Sequence, residues 1–178
     1  MGTIYFTRHG QTIWNVENKI CGATDIALTP HGQEQALALG KQIADGNYKI
    51  DEILSSPLIR AADTAKHISE VTRIPMRIEL RLKEQNFGKY ESTPRNGETF
   101  QRAKSCFINH YSVGESMLQM AQRIYNLLDE LRKQEDTIYL LVAHNGIARF
   151  MESYFRDMSN EEFAQFGIGN CEIKEYHW

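Results

Sequence analysis

Residues 4–15 read Ile-Tyr-Phe-Thr-Arg-His-Gly-Gln-Thr-Ile-Trp-Asn, an apolar run that ends in an arginine, a histidine and a glycine. β-Branched and aromatic residues of this kind form buried strands, and such a strand brings the polar side chains that follow it to the edge of a sheet. Gly10 allows the chain to turn there. The guanidinium of Arg8 matches the shape of a phosphate or carboxylate, and His9 is a nucleophile or a proton carrier near neutral pH. The run therefore predicts a site that handles phosphate.

The rest of the chain alternates short apolar runs with segments of helical periodicity. A helix is predicted to begin at Pro30, because Thr29 is a good N-terminal cap and proline suits the first helical position. Its apolar stripe ends near Gly46. Ser56 and Pro57 predict the same arrangement of cap and first residue for the next helix. The remaining predictions are strands at residues 52–55, 76–80, 137–143 and 172–176, and helices over the apolar stripe of residues 117–131, after Gly146 and from Ser159.

Polar side chains follow four of the predicted strands. Arg8 and His9 follow the first strand, and Arg60 lies in the first turn of the helix after the second. Glu84 follows the third strand, and His144 comes directly after the long apolar strand near the C-terminal end. Alternating strands and helices predict an α/β sandwich around a mainly parallel sheet, in which ligands bind beyond the carboxyl ends of the strands. We therefore expect these five side chains to lie together at one edge of the sheet.

The overall composition indicates a soluble globular protein. The chain has 178 residues, enough for one compact domain over residues 1–178, and 42% of them are hydrophobic and 24% charged. The formal net charge of −3 disfavours a nucleic-acid partner. Three widely spaced cysteines fit neither a disulfide framework nor a zinc site, and no signal peptide or bilayer-spanning run is recognisable. We expect a cytoplasmic protein without a membrane partner, and the oligomeric state is left open.

Residues 81–116 have no clear periodicity and contain several glycines and a proline, so they are predicted to form a loop or lid. The part of this segment up to residue 104 has more basic than acidic side chains. The basic ones are Arg81, Lys83, Lys89, Arg95, Arg102 and Lys104, and the acidic ones are Glu84, Glu91 and Glu98. The excess would suit a substrate with a further carboxylate or phosphate, and a solvated surface explains it equally well.

Five segments of the chain resemble the signatures of a known family. The run Thr-Arg-His-Gly-Gln-Thr-Ile-Trp-Asn over residues 7–15 is similar to the first signature of the histidine phosphatase superfamily, in its phosphoglycerate mutase-like branch. Residues 54–65 are a near-complete match to the second signature, and residues 28–36, 82–91 and 142–146 resemble further motifs. The resemblance spans nearly the whole chain and implies a three-layer α/β/α sandwich around a mainly parallel sheet, as in phosphoglycerate mutase.

In that family the histidine of the first signature attacks phosphorus and becomes transiently phosphorylated. The resemblance implies this role for His9 and implies that the phosphate is bound by Arg8, Asn15, Arg60 and His144. Catalysis of phosphoryl transfer is mostly positioning and electrostatics, so charged and neutral donors around the phosphate are what the reaction requires. The alternatives are a solvent-facing helix residue for Arg60 and a buried, hydrogen-bonded histidine at a strand end for His144.

The leaving alkoxide needs a proton, which a carboxyl group near the pocket can donate as a general acid. Glu84 matches the family's glutamate at this step, and the alternative is an exposed loop charge. Ser92 and Asn145 each stand where many members have glycine, which bears on loop geometry and on the substrate. Four histidines lie outside the motifs and are predicted to be structural or surface residues: His31, His67, His110 and His177.

Together these patterns predict an enzyme that hydrolyses a small phosphorylated metabolite through a phosphohistidine, with no cofactor and no metal. Carboxylates and histidines are not spaced as metal ligands, and two arginines supply positive charge. A cofactor-dependent phosphoglycerate mutase is one alternative, although mutases of the family are typically longer between the glutamate and the last helices. A catalytically silent member that binds a phosphorylated ligand is the other.

Overall fold

The computed structural model describes residues 2–178, which contain a five-stranded sheet flanked by helices. The spatial order of the strands is β3-β2-β4-β1-β5, and only β5 is antiparallel to its neighbour. The strands are β1 (Thr3–Arg8), β2 (Glu52–Ser55), β3 (Met76–Ile78), β4 (Tyr139–Ala143) and β5 (Ile173–His177). The carboxyl ends of the four parallel strands therefore point to one edge of the sheet.

Seven α-helices connect or follow these strands in the described residues. They are α1 (Ile13–Val16), α2 (Pro30–Asp45), α3 (Ile59–Thr72), α4 (Glu98–Lys104), α5 (Met117–Leu131), α6 (Asn145–Phe155) and α7 (Asn160–Gln165). Short 3-10 turns lie at Leu80–Leu82 and Gly88–Tyr90. Across residues 2–178, no helix combines the length and the apolar character needed to cross a bilayer.

Alternating side chains of the central strands enter two separate hydrophobic cores. Leu140 and Val142 of β4 pack with α2 and α3, whereas Leu141 and Ala143 pack with α5 and α6 on the other face. Every residue of β4 is buried, as expected of a strand covered on both sides. The predicted three-layer α/β/α sandwich around a mainly parallel sheet is confirmed.

The helices with the clearest local signals begin where their caps predict. The Thr29 hydroxyl accepts a hydrogen bond from Gly32 N at 3.0 Å, and α2 begins at Pro30. Ser116 and Gln119 form a reciprocal capping box at the start of α5. The apolar stripe of α5 is buried as predicted, and each such aliphatic side chain contributes about 1.5–3 kcal/mol through burial.

The predicted start of α3 is wrong by two residues. Its N-terminal cap is Leu58 instead of Ser56, and Pro57 precedes the helix. The Ser56 hydroxyl lies 2.7 Å from Nε2 of His144, the residue that directly follows the neighbouring strand β4. Ile59 N, at the helix start, donates to the Asp25 carboxylate at 2.7 Å. A contact with another part of the chain thus replaces the local cap.

The segment over residues 81–116 is more regular than its sequence pattern predicts. It contains α4 and a small core in which Phe87, Phe100 and Tyr111 pack against Ile20. The aromatic side chains meet mostly edge to face. Ser92, at a position where glycine is frequent in the family, has a φ of 64°, in the left-handed region. The unusual residue therefore occupies the backbone conformation that favours glycine.

Candidate active site

Side chains from four separate parts of the sequence meet beyond the carboxyl ends of the parallel strands. The rings of His9 and His144 have centroids 5.2 Å apart. Glu84 lies against the N-terminal end of α6, where its Oε2 accepts a hydrogen bond from Gly146 N at 2.9 Å. The charge of Arg60 is close enough to lower the pKa of both histidines. The predicted convergence of these side chains at the sheet edge is thus present in the structure.

The His9 ring is held in a defined orientation by the backbone. Its Nδ1 lies 2.6 Å from the Gly10 carbonyl, which only accepts, so we assign the ring proton to Nδ1. The other nitrogen, Nε2, then has its lone pair free for attack on phosphorus. Burial, followed by the charges of Arg60 and Arg8, lowers the pKa of His9 well below its usual value near 6.5. The ring is therefore neutral at neutral pH.

The turn after β1 is fixed by contacts from distant segments. His9 N donates to the Ala143 carbonyl at 3.0 Å, and the Asn170 amide donates to the His9 carbonyl at 2.8 Å. Gly10 N donates to the Thr64 hydroxyl at 3.0 Å. A Cβ at Gly10 would come within 2.4 Å of the Gly32 carbonyl oxygen, so only glycine fits at this approach. Sequence reasoning assigned no role to Thr64 or Asn170.

The guanidinium of Arg60 is completely buried at the start of α3. Its Nη1 donates to the Thr24 carbonyl at 2.8 Å, and its Nη2 donates to the Gly22 carbonyl at 2.7 Å. Arg8 is held similarly, because its Nη1 donates to the Ile168 carbonyl at 2.9 Å. Burial lowers the pKa of Arg8 to about 10 and leaves it charged at neutral pH. Both arginines are therefore oriented by backbone carbonyls and not by carboxylates.

His144 is oriented by Ser56. The Ser56 hydroxyl accepts a hydrogen bond from Leu58 N at 3.3 Å and lies 2.7 Å from His144 Nε2. We assign the Ser56 hydroxyl as the donor to Nε2. The neutral imidazole then has its own proton on Nδ1. Burial and the Arg60 charge lower the pKa of His144 well below its usual value, so the ring is neutral. Nδ1 is then a neutral donor.

Three buried nitrogens of this site have no hydrogen-bond partner among residues 2–178: Arg8 Nε, Arg60 Nε and His144 Nδ1. A buried donor without a partner costs about 1–3 kcal/mol, so such groups are rare in folded proteins. These three belong to Arg60 and Arg8, whose charges act on His9, and to His144, whose ring lies next to it. Their arrangement has the chemistry of an anion site, and a tetrahedral phosphate presents oxygens in several directions to accept from all of them.

Asn15 lies in the short helix α1 at the rim of the site. Its side-chain oxygen accepts from Thr12 N at 3.0 Å, and the Thr12 hydroxyl accepts from Asn15 N at 3.3 Å. This capping box was not predicted, because α1 has only four residues. Because the side-chain oxygen of Asn15 accepts from Thr12 N, the amide has a defined orientation and its NH2 group points away from the cap. Asn15 thus has a neutral donor to offer.

Glu84 is buried beside the site and is not an exposed loop charge. Its Oε1 accepts from Gln85 N at 2.8 Å, and its Oε2 accepts from Gly146 N at 2.9 Å. Each carboxyl oxygen has a second lone-pair direction that is not used by these bonds. A Cβ at Gly146 would come within 2.3 Å of Glu84 Oε1, so the close approach of the carboxyl group to α6 requires glycine.

Glu91 has a supporting role that the sequence reasoning did not assign. Its carboxylate accepts hydrogen bonds from the backbone N–H groups of Gly22, Ala23, Thr24 and Phe87, and from the Thr24 hydroxyl. Gly22 and Thr24 are the residues whose carbonyls hold the Arg60 guanidinium. The position of Glu91 in the motif at residues 82–91 was the only sequence signal for this connection.

The other sequence predictions concern histidines and metals. His31, His110 and His177 are exposed, and His67 lies against Gln33 on α2, so none of the four remaining histidines reaches the site. Within the part of the chain that the structure describes, no three His, Cys, Asp or Glu side chains are grouped so as to hold a metal ion.

Comparisons with known proteins find a family model and relatives that match nearly the whole chain. A family model described as histidine phosphatase superfamily (branch 1) matches residues 4–178. A protein of Erwinia tasmaniensis named a probable phosphoglycerate mutase is 30% identical, in an alignment that covers 96% of this chain and 82% of the relative.

Two solved structures are similar over almost the whole chain. A mycobacterial glucosyl-3-phosphoglycerate phosphatase in complex with VO3 has a TM-score of 0.87 at 26% identity, covering 100% of this chain and 93% of the other. A mutant phosphoserine phosphatase of Entamoeba histolytica, in complex with phosphoserine, has a TM-score of 0.82 at 31% identity, covering 98% and 90%. Each similarity therefore extends over at least 98% of this chain.

Proposed function

The chain belongs to the histidine phosphatase superfamily, and from this premise we propose that it is a phosphomonoester hydrolase acting through a phosphohistidine at His9. The observation that carries the proposal is the combination of a neutral, backbone-oriented His9 with unpartnered nitrogens of Arg8, Arg60 and His144 around it. A nucleophile next to a ready set of donors is the arrangement that phosphoryl transfer requires. The phosphatases among the similar structures add support for hydrolysis.

In the first step, Nε2 of His9 attacks phosphorus in line with the ester oxygen. The nitrogen–phosphorus bond forms as the phosphorus–oxygen bond breaks, and the electron pair of that bond leaves with the alkoxide. Glu84 in its acid form gives its proton to the alkoxide, which departs as a neutral alcohol. The charge on the equatorial oxygens is stabilised by Arg8, Arg60 and the Nδ1 hydrogen of His144, with Asn15 as a neutral donor.

In the second step, water attacks the phosphohistidine. The Glu84 carboxylate takes one proton from the water as the new phosphorus–oxygen bond forms and the phosphorus–nitrogen bond breaks. The electron pair returns to His9 Nε2, and inorganic phosphate leaves. Glu84 ends in its acid form and His9 in its neutral form, so the cycle is complete without a metal, since the arginines supply the positive charge.

Trapping of the intermediate tests the nucleophile. After incubation with a phosphomonoester and rapid denaturation, we expect phosphate on His9 that is released by acid and retained in base. His9→Ala should abolish both the label and turnover, whereas His31→Ala, which removes an exposed histidine, should retain both. Undiminished turnover by His9→Ala would overturn the mechanism, and chelators should leave the wild-type rate unchanged.

Glu84 is tested through the leaving group. An alkoxide leaves poorly without a proton, whereas nitrophenolate leaves almost unaided. Glu84→Gln should therefore slow phosphorylation by alkyl phosphates by about a hundredfold, within the range of general acid catalysis, and slow it much less with nitrophenyl phosphate. Single-turnover measurements isolate this step from hydrolysis of the phosphoenzyme. Equal losses with both substrates would mean that Glu84 positions the substrate and does not protonate the leaving group.

The mutase named among the relatives makes phosphoglycerate isomerisation the second candidate. A mutase returns the phosphoryl group to another hydroxyl in a closed site, whereas a phosphatase admits water. Incubation with 3-phosphoglycerate, with and without the bisphosphorylated primer, separates the two. We expect release of phosphate and little isomerisation. Rapid isomerisation would establish the mutase, and tight vanadate binding without turnover of any phosphomonoester would establish a silent binding protein.

A further inference from the structure

A small cavity of about 100 Å³ is lined by Glu84 and by Asn145 and Gly146 at the start of α6. Three basic side chains face this cavity: Arg95, Lys104 and Arg149. We propose that this basic pocket binds a carboxylate carried by the leaving alcohol of the substrate. The inference rests on the proposed function, because it assigns the leaving group of the same reaction.

The three cations come from different parts of the fold. Arg95 precedes α4, Lys104 ends α4, and Arg149 lies on the second turn of α6. Arg95 Nε donates to the Lys19 carbonyl at 2.8 Å, and Arg149 Nε donates to the Phe166 carbonyl at 3.0 Å. These bonds hold each guanidinium by its inner nitrogen, and leave the outer fork of donors for a ligand.

The charge of the basic pocket is not neutralised by side-chain ion pairs. Among residues 2–178, none of the three cations has a carboxylate oxygen within 4 Å, whereas Arg81 pairs with both Glu79 and Glu130. The carboxylate inside the pocket is Glu84, whose oxygens accept from backbone N–H groups. Glu161 lies in the neighbouring cavity that Lys104 and Arg149 also line.

Partial burial makes this charge costly, although the nearby Glu84 carboxylate offsets part of it. Burial, with the charges of Arg149 and Arg95, lowers the pKa of Lys104 to about 8, and burial also lowers the pKa of Arg149. An anion bound between them would offset the repulsion and replace lost hydration. Half-buried cations that crowd one another are therefore arranged for an anionic ligand.

The basic pocket is within reach of a substrate whose phosphate lies at His9. Glu84 borders both sites, and the charge of Arg95 contributes to lowering the pKa of His9 and of Arg8. The small volume limits the second group to a compact anion, and a planar carboxylate matches the fork of an arginine. We therefore infer a short-chain phosphomonoester in which a few carbon atoms separate the phosphate from a carboxylate.

The test compares 3-phosphoglycerate with glycerol 3-phosphate, which has a hydroxymethyl group in place of the carboxylate. The binding is measured with His9→Ala, because this variant cannot form the phosphohistidine. We expect it to bind 3-phosphoglycerate at least about tenfold more tightly than glycerol 3-phosphate, the effect of one charge-assisted hydrogen bond. Calorimetry gives this preference without turnover. Equal binding of the two compounds, or binding of neither, would overturn the inference, whereas a preference in the absence of any hydrolysis would overturn only the proposed phosphatase activity.

Two matched substitutions on α4 locate the preference. Lys104→Gln removes a cation of the basic pocket, and Arg102→Gln removes an exposed cation two residues earlier. We expect Lys104→Gln to reduce the ratio of the two binding constants by about tenfold or more, and Arg102→Gln to leave it unchanged. Arg149→Lys should retain part of the preference, because it keeps the charge and loses the fork. An unchanged ratio in folded Lys104→Gln would contradict the assignment.

Discussion

Neutral imidazoles at His9 and His144 have a consequence for the effect of pH. Burial and the Arg60 charge lower the pKa of each ring, so both rings should stay neutral as the pH falls from 7.5 to 6. We expect their ring-proton NMR signals, assigned with His9→Asn and His144→Asn, to stay constant over this range while added free imidazole titrates.

The same shift predicts how stability depends on pH. Below about pH 6.5 an unfolded histidine binds a proton that the folded ring does not, so the unfolded state gains stability as the pH falls. The free energy of unfolding should therefore decrease from pH 6.5 downward. In urea unfolding, the free energy of unfolding of His144→Gln should decrease less with falling pH than that of the wild type. An equal decrease in the two proteins would contradict the neutral state of this ring in the folded protein.

Ser56 is expected to affect catalysis through the tautomer of His144. Ser56→Ala removes the partner of Nε2, so the ring proton is no longer held on Nδ1, where it would face the phosphate. We expect kcat/KM to fall by about tenfold, the usual effect of one lost hydrogen bond in a buried site. Ser55→Ala is the matched control, because its hydroxyl donates only to the Ser56 carbonyl. Equal effects of the two substitutions would indicate a loss of packing instead.

At the scale of elements, the loop over residues 22–24 connects Glu91 to Arg60. Glu91 binds the loop through its N–H groups, and Arg60 binds the carbonyls of the same loop. Glu91→Gln keeps the size of the side chain but replaces one accepting oxygen by a donor, which opposes the N–H groups of the loop. We expect kcat/KM to decrease by about tenfold or more, since several hydrogen bonds are affected.

A double-mutant cycle tests whether Glu91 acts through Arg60. If it does, Glu91→Gln should cost much less in an Arg60→Lys background than in the wild type. Glu98→Gln, which changes an exposed residue at the start of α4, should have no effect in either background. Additive effects of Glu91→Gln and Arg60→Lys would mean that the two side chains act independently.

For the whole molecule, an anion site built from α3, β1 and β4 should couple ligand binding to stability. Inorganic phosphate or vanadate at about 100 times its Kd should stabilise the fold by about 2.7 kcal/mol. For a chain of this size that raises Tm by about 5–10 °C. Arg8→Gln should reduce the shift, whereas Lys133→Gln, an exposed change near the end of α5, should not. No shift in the wild type would contradict the anion site.

Much of the fold could be predicted from local sequence, because its signals act over a few residues. Thr29 and Pro30 determine the start of α2 through a cap and a fixed φ, and the periodicity of residues 117–131 determines the buried face of α5. The order of strands and helices also implied that Arg8, His9, Arg60, Glu84 and His144 would meet, since parallel strands end at one edge.

Only the tertiary structure decided how those side chains are held. Ser56 was predicted only as a local cap, but its hydroxyl accepts from Leu58 N and also contacts His144, a residue 88 positions away. Glu91 supports Arg60, and Arg149 joins Lys104 and Arg95, through packing between segments that have no local relation in the sequence. Hydrogen bonds and charges act across short distances in space, and those distances exist only once the sheet has brought its crossovers together.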